Sequence, residues 1–378
     1  MLQPIPYSDD VEKPLEGESQ IADDLVKALL SISRKTYADS HHGLRSVHAK
    51  SHALLTGELT IMPGLPPELA QGLFTNAGRY PVVMRFSTTP GDILPDSVST
   101  PRGLAIKIIG VSGERLPGSE NDVTQDVVMV NGPAFQTSNA KAFLGNLKLL
   151  AATTDKAEVL KVAASAVLQG TEKVVEALGG KSGALRGLGG EPPNHPLGET
   201  YYTAVPLRYG DFMAKMSLVP VSEDLTELKG HRIAMKSKTA IREAMVDHFS
   251  IYGGEWELRI QLCTDLETMP IEDAAKIWPE DETPYVTVAR LTVEPQTAWS
   301  QERSAAIDDG MSFSPWHGLA AHRPLGSIMR LRKTAYEASA GFRAKRSGRA
   351  IVEPRTMEGL FGEETLAPED DKAEVFYP

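Results

Sequence analysis

The 378-residue chain contains one cysteine, Cys263, so no internal disulfide can form. The strand-like neighbours Ile260, Gln261 and Leu262 favour a buried, inert thiol there over a thiolate nucleophile. No apolar run reaches the ~18 residues that a membrane span requires. The N-terminal residues 1–10 are polar, and they lack the basic and apolar regions of a secretory leader. Basic residues are not in excess: the net charge is -11, which argues against nucleic acid or an anionic membrane as the main partner. No internal repeat of fixed period is present, which excludes a solenoid or propeller. These absences leave a soluble globular protein in a reducing, cytoplasmic setting. The 41% hydrophobic and 24% charged residues agree, and the length suffices for one large core or two ordinary domains.

What is present is organised in three stretches. Residues 1–39 read as an acidic, proline-containing arm (1–19) followed by a helix over 20–37, with Ile21, Leu25, Leu29 and Ile32 at helical spacing. Residues 40–348 carry eight strand-like runs, near 54–61, 81–88, 103–110, 126–131, 200–207, 211–219, 255–263 and 286–293. Several alternate strictly, as in Met84-Arg85-Phe86-Ser87 and Leu104-Ala105-Ile106-Lys107. Eight such strands can close into a barrel and so remove their exposed edges. A helical insert over 138–182, ending in a glycine-rich connection at 179–190, separates the fourth run from the fifth. A last helix is expected from Arg323-Pro324 to about Lys345, since proline suits a first helical turn. Residues 349–378 form an acidic tail.

Three groups of residues carry chemistry. On the last helix, Arg332, Tyr336 and Arg343 stand at i, i+4 and i+11 and project from one side. A guanidinium one turn from a tyrosine hydroxyl favours the phenolate, a hard anionic ligand suited to ferric haem. A buried helix tyrosine with surface arginines has the same spacing. In Arg45-Ser46-Val47-His48-Ala49-Lys50, a histidine ahead of a strand can enter a pocket and move protons near neutral pH; a satisfied core histidine fits equally. In Val83-Met84-Arg85-Phe86-Ser87-Thr88, Arg85 and Ser87 share one face. An inward Arg85 needs an anion such as a haem propionate, whereas a solvent-facing one needs none.

Taken together and in order, these segments resemble the haem catalases. Arg45-x-x-His48-Ala49-Lys50, Arg85-Phe86-Ser87-Thr88, Pro101-Arg102-Gly103 and Arg332-x-x-x-Tyr336 match that family's R-x-x-H-A-K, R-F-S-T, P-R-G-F-A and R-x-x-x-Y. Ala274-Ala275-Lys276-Ile277-Trp278-Pro279 and Phe313-Ser314-Pro315 extend the likeness, which covers roughly residues 40–345. The chain is shorter than a full catalase and closer to the catalase-related peroxidases.

The resemblance implies an α+β fold: an antiparallel eight-stranded barrel with surrounding helices, and haem b held between barrel and C-terminal helix. It implies Tyr336 as the iron ligand with Arg332 as its partner. His48 resembles the distal base, Ser87 the serine that orients it, and Val47 the residue that narrows the channel. Arg45, Arg85 and Arg343 resemble the arginines around the propionates, and Phe135 a phenylalanine near the haem face. The implied activity is a haem peroxidase or catalase-like enzyme acting on hydrogen peroxide or an organic hydroperoxide with an organic electron donor. Rearrangement of fatty-acid hydroperoxides, with the insert bordering a lipid-sized entrance, and non-enzymatic haem binding are the alternatives. A homo-oligomeric state is left open. One departure weighs against efficient catalase activity: the distal asparagine has no aligned counterpart, with Asn121 the nearest candidate and Gln125 the second. His317 and His322 are expected to form hydrogen bonds at the start of the last helix.

Overall fold

The computed structural model describes residues 3–153 and 191–361. Nine strands form one antiparallel sheet: β1 (Ser51–Ile61), β2 (Gly78–Thr88), β3 (Arg102–Ile109), β4 (Thr124–Val130), β5 (Tyr201–Tyr202), β6 (Leu207–Tyr209), β7 (Phe212–Pro220), β8 (Gly254–Leu262) and β9 (Val286–Val293). The sheet order is β5-β4-β3-β2-β1-β9-β8-β7-β6, and β5 also pairs with β7. Eight strands therefore close into a ring, and β6 is a ninth strand outside it, a hairpin partner of β7 turned at Gly210 (φ +62). Closure rests on β5, through Val130↔Tyr202 on one side and Tyr201↔Leu218 and Tyr202↔Ser217 on the other.

Alternation along the strands sorts side chains to two faces. Leu55, Val82, Met84, Phe86, Leu104, Ile106, Val127, Met129, Met216 and Leu258 fill the barrel interior. Leu54, Val83 and Ile109 point the other way and pack beneath Ile307, Met311 and Phe313 of a covering segment. Both faces of the β1–β4 wall are thus buried, and its polar outer residues are enclosed as well.

Among the described residues four longer helices lie around the barrel: α1 (Glu18–Ser40), α2 (Ala140–Thr153), α3 (Ala240–Phe249) and α4 (Ser327–Ser347). Leu25, Leu29 and Ile32 of α1, Leu144 and Leu147 of α2, and Leu331 and Ala335 of α4 share one apolar cluster. The expected insert is helical over Ala140–Thr153; its continuation to 182, the glycine-rich connection and the end of the acidic tail lie outside the described residues. The N-terminal arm is bound along the barrel, with Ile5 N–H donating to Cys263 O at 2.8 Å and Tyr7 N–H to Asp211 O at 2.7 Å. Cys263 is buried there, and burial pushes its thiol up to about 12.

Two boundaries differ from the sequence reading. The run 200–207 is not one strand, because Ala204 is left-handed (φ +61) and Pro206 offers no N–H to a ladder. The last helix starts at Ser327, not at Arg323-Pro324. Pro324 is held in a bridge to Leu207, and Gly326, at φ +85, is incompatible with a helix before it. The first-turn N–H of Ser327 is satisfied instead by Glu272 Oε2 at 2.8 Å. Gly348, left-handed at φ +64, ends the helix.

Candidate active site

His48 sits just ahead of β1 in a left-handed conformation, φ +54. For a non-glycine residue this costs on the order of 1–3 kcal/mol and persists only where the surroundings over-determine it. They do here. Its N–H donates to Thr89 O at 2.7 Å. Its carbonyl accepts from Arg85 Nη2 at 2.8 Å. Its ring Nδ1 lies 3.1 Å from Ser87 Oγ. The ring occupies space that only glycine leaves open, for a Cβ on Gly103 would stand 2.5 Å from His48 Cε1 and Nδ1. This gives the glycine of Pro101-Arg102-Gly103 a physical purpose. Burial first, then the charges of Arg85, Arg332 and Arg45, push the His48 imidazole down to about 3. It is therefore neutral near pH 7. Its exposed area is nevertheless intermediate, as it is for Val47, Arg332 and Tyr336.

Tyr336 and Arg332 lie one turn apart on α4, and Arg332 Nη2 donates to the Tyr336 hydroxyl. Arg332 Nη1 also reaches Met329 Sδ at 3.3 Å. The helix is tied to the His48 segment by small hydroxyls: Ser46 Oγ lies 2.9 Å from Ser339 Oγ and 2.7 Å from Ser33 Oγ of α1. Val47 and Phe143 both pack against the α1–α2–α4 cluster, and Phe143 meets Phe135 edge to face at 5.2 Å.

Arg85 and Ser87 share a face as expected, but it is the outer face, since Met84 and Phe86 hold the interior. Arg85 is buried beneath the covering segment and finds its anion within the chain, with Nε 2.6 Å from Asp308 Oδ1. Arg45 bonds the same residue, Nη1 to Asp308 O at 2.7 Å and to its Oδ1 at 3.3 Å. Arg343 reaches in from α4, donating to the carbonyls of Asp308 (2.6 Å), Asp309 (2.8 Å) and Met311 (2.8 Å). Asp308 also accepts from Ser51 Oγ at 2.7 Å and Ser304 Oγ at 2.9 Å. Burial opposes its charge, yet Arg85, Arg45 and these hydroxyls hold its carboxyl down to about 2. Burial and the neighbouring Arg85 lower Arg343 to about 10, and its Nε has no partner among the described residues.

The remaining candidates fall elsewhere. Asn121 is an exposed turn residue whose carbonyl accepts from Arg355. Gln125 pairs with Ile108, five residues along β3 from Gly103, about 17 Å at strand spacing. Its amide is used locally, by Leu319 N–H at 2.8 Å and Asp126 O at 3.1 Å. Neither stands beside His48. His317 and His322 do not cap α4 either. His317 joins Asp126 and Glu353 around Lys107 on the outer wall, and His322 Nε2 accepts from Leu73 N–H at 2.9 Å. Lys50 is structural, its ammonium held by Asp96 at 2.6 Å and by the carbonyls of Leu94 and Lys238. Sequence reasoning missed Asp308 with its hydroxyl partners Ser51 and Ser304, and the Ser33–Ser46–Ser339 contact. No spacing rule links Asp308 to Arg45 and Arg85, which stand more than two hundred residues before it.

No protein-family model and no curated protein matches the chain. Solved structures do. A fungal catalase superposes with a TM-score of 0.57 at 17% identity, over 90% of this chain and 70% of that one. Catalase A from Saccharomyces cerevisiae gives 0.55 at 15% identity, over 99% of this chain and 78% of that one. A bacterial catalase gives 0.52 at 15% identity, over 90% of this chain but only 65% of its own length. The chain has a catalase-like fold, a closed antiparallel barrel with one extra strand and packed helices.

Proposed function

We propose that the chain binds haem b between the outer barrel wall and α4, with Tyr336 as the iron ligand and His48 on the opposite side, and acts as a peroxidase or catalase-like enzyme. The observation that carries this reading is the Arg332–Tyr336 hydrogen bond on a helix docked beside a neutral, strained histidine. The donor set fits the group. The Arg332 guanidinium holds the Tyr336 hydroxyl by a direct hydrogen bond. A glycine makes room for the histidine, and the arginine cluster, with an orphaned Nε on Arg343, packs against its backbone through Arg85. When bound, haem would supply the redox centre for cleaving a peroxide O–O bond.

The chain's own residues account for the proton chemistry. Ser87 holds His48 Nδ1, which leaves Nε2 for the substrate. A neutral imidazole can accept a peroxide proton there and return it to the leaving oxygen, and its low proton affinity favours the return. With neither Asn121 nor Gln125 beside His48, no amide supports the peroxide from those positions. This favours a peroxidase working with an organic electron donor over rapid disproportionation of peroxide.

The test is the ultraviolet-visible spectrum of haem-reconstituted protein beside Tyr336→Phe. A high-spin ferric spectrum that shifts or disappears in the variant is expected. No Soret band in the wild type after reconstitution would refute the proposal. The apolar cluster that Val47 and Phe143 share, with Phe135 against Phe143, supports a second reading, the rearrangement of lipid hydroperoxides. Product analysis separates the two, because an epoxide or ketol marks rearrangement and a simple alcohol marks peroxidase turnover.

A further inference from the structure

The arginine cluster contains a carboxylate of its own. Asp308 lies in the covering segment between β9 and α4, yet it meets Arg85 from β2, Arg45 from the loop ahead of β1 and, through its carbonyl, Arg343 from α4. Its two carboxylate oxygens are fully engaged, Oδ1 by Arg85 and Arg45, Oδ2 by Ser51 and Ser304. The orientation of Arg85 is thereby fixed at Nε, and its Nη2 is delivered to the carbonyls of His48 at 2.8 Å and Ala49 at 3.2 Å. His48 needs such a restraint, because its φ of +54 would relax toward an ordinary conformation if the carbonyl were released.

We propose that Asp308 is a positioning residue: a built-in carboxylate that keeps Arg45, Arg85 and Arg343 assembled before any cofactor arrives and, through Arg85, holds His48 in its strained conformation. Its importance for chemistry rests on the role proposed above for His48, but the restraint itself belongs to the cofactor-free protein. Three guanidiniums packed together repel one another, and a resident anion removes the need for an external one during folding. Asp308 is the carboxylate bonded to Arg85 and Arg45, whereas Asp309 offers Arg343 only its carbonyl and its own carboxylate lies 2.9 Å from His42 Nε2.

Amide hydrogen exchange of the cofactor-free protein tests the proposal without relying on haem. In Asp308→Asn, exchange over residues 46–50 should accelerate at least tenfold while β2 and β3 stay within about twofold of wild type. Asp308→Glu, which keeps the charge, should recover most of the protection. Unchanged exchange at 46–50, a uniform rise across the barrel, or a glutamate variant as unprotected as the asparagine one would overturn it. Should Asp308→Asn fail to fold, Ser304→Ala removes one donor to Asp308 and should raise exchange over 46–50 by about threefold; no local change would again refute the proposal. Haem uptake by the wild type, measured separately, decides the function reading and leaves this result standing either way.

Discussion

Ser46 and Ser339 touch through their hydroxyls at 2.9 Å, and this contact joins the segment that carries His48 to the helix that carries Tyr336. Side chains this small set the spacing of the two elements. Ser339→Leu inserts bulk where both sides are already packed, at a cost of about 1–3 kcal/mol. It should weaken haem binding at least tenfold in a Soret titration, whereas Ser339→Ala should stay within about threefold. Equal affinities for the two variants would separate this contact from the haem site.

Ser87 and Gly103 restrain the His48 ring in different ways. Ser87→Ala removes the partner of Nδ1 and should slow the reaction with peroxide roughly 10–100-fold, as loss of an orienting partner does elsewhere, with haem affinity nearly unchanged. Gly103→Ala drives a methyl group into the ring and the Ser87 hydroxyl, at 2.5 and 3.1 Å. It should displace the histidine outright and approach the loss seen in His48→Ala, about 10²–10⁴-fold. Stopped-flow rates for the three variants should fall in that order, and a Gly103→Ala protein as fast as wild type would contradict the geometry.

Stability should fall with acid well before the carboxylates titrate. Burial pushes His48 down to about 3 and His195 and His322 to about 4. Unfolded histidines protonate near ~6.5, so below that pH the unfolded chain binds protons that the folded one refuses. The stabilisation is complete above pH ~6.5 and is lost as pH drops toward 4 and then 3. His52, lowered in the same way by burial, makes a fourth such group, and the slope reaches several kcal/mol per pH unit, on the order of 5. Thermal melts from pH 7.5 to 4.5 should show a steep decline, made shallower by His322→Gln, whose amide oxygen can accept the Leu73 N–H without taking up a proton. A flat profile in that window would contradict the burial of these rings.

Arg330 belongs to the basic run of α4 but not to the arginine cluster. It binds Glu12 at 2.7 Å, Glu18 at 2.7 and 3.0 Å, and Glu272 at 2.8 and 3.2 Å, fastening the N-terminal arm and the loop after β8 to one helix. Arg330→Ala leaves three glutamates facing one another and should cost roughly 3 kcal/mol. Chemical denaturation reads this directly, and protease nicking within residues 3–17 should accompany it.

Strands with strict alternation were legible because one face of each needed a core. Arg45, His48, Arg85, Ser87, Arg332 and Tyr336 stand out in the sequence because they keep a recognisable order. Alternation cannot say which face is the inside, however, and with both faces buried the polarity of Arg85 misleads. The run 200–207 contains β5 but hides the break at Ala204, because a strand of two residues carries no period to mark its end. The fate of Pro324 was decided by its bridge to Leu207, a contact between residues more than a hundred positions apart. Asp308 was hidden for the same reason, since its meaning lies in partners from three other elements.

The two-residue β5 makes the barrel a bracelet with a clasp. Seven strands are fastened by long ladders, and the circle is completed by one pair on one side and two on the other. The link from β4 to β5 spans residues 131–200 and leaves and rejoins the ring at the clasp, where added length disturbs no ladder. Evolution could enlarge the molecule at that point without re-registering a strand, and a barrel strained from outside would part there first, leaving the wall that carries His48, Ser87 and Arg85 intact.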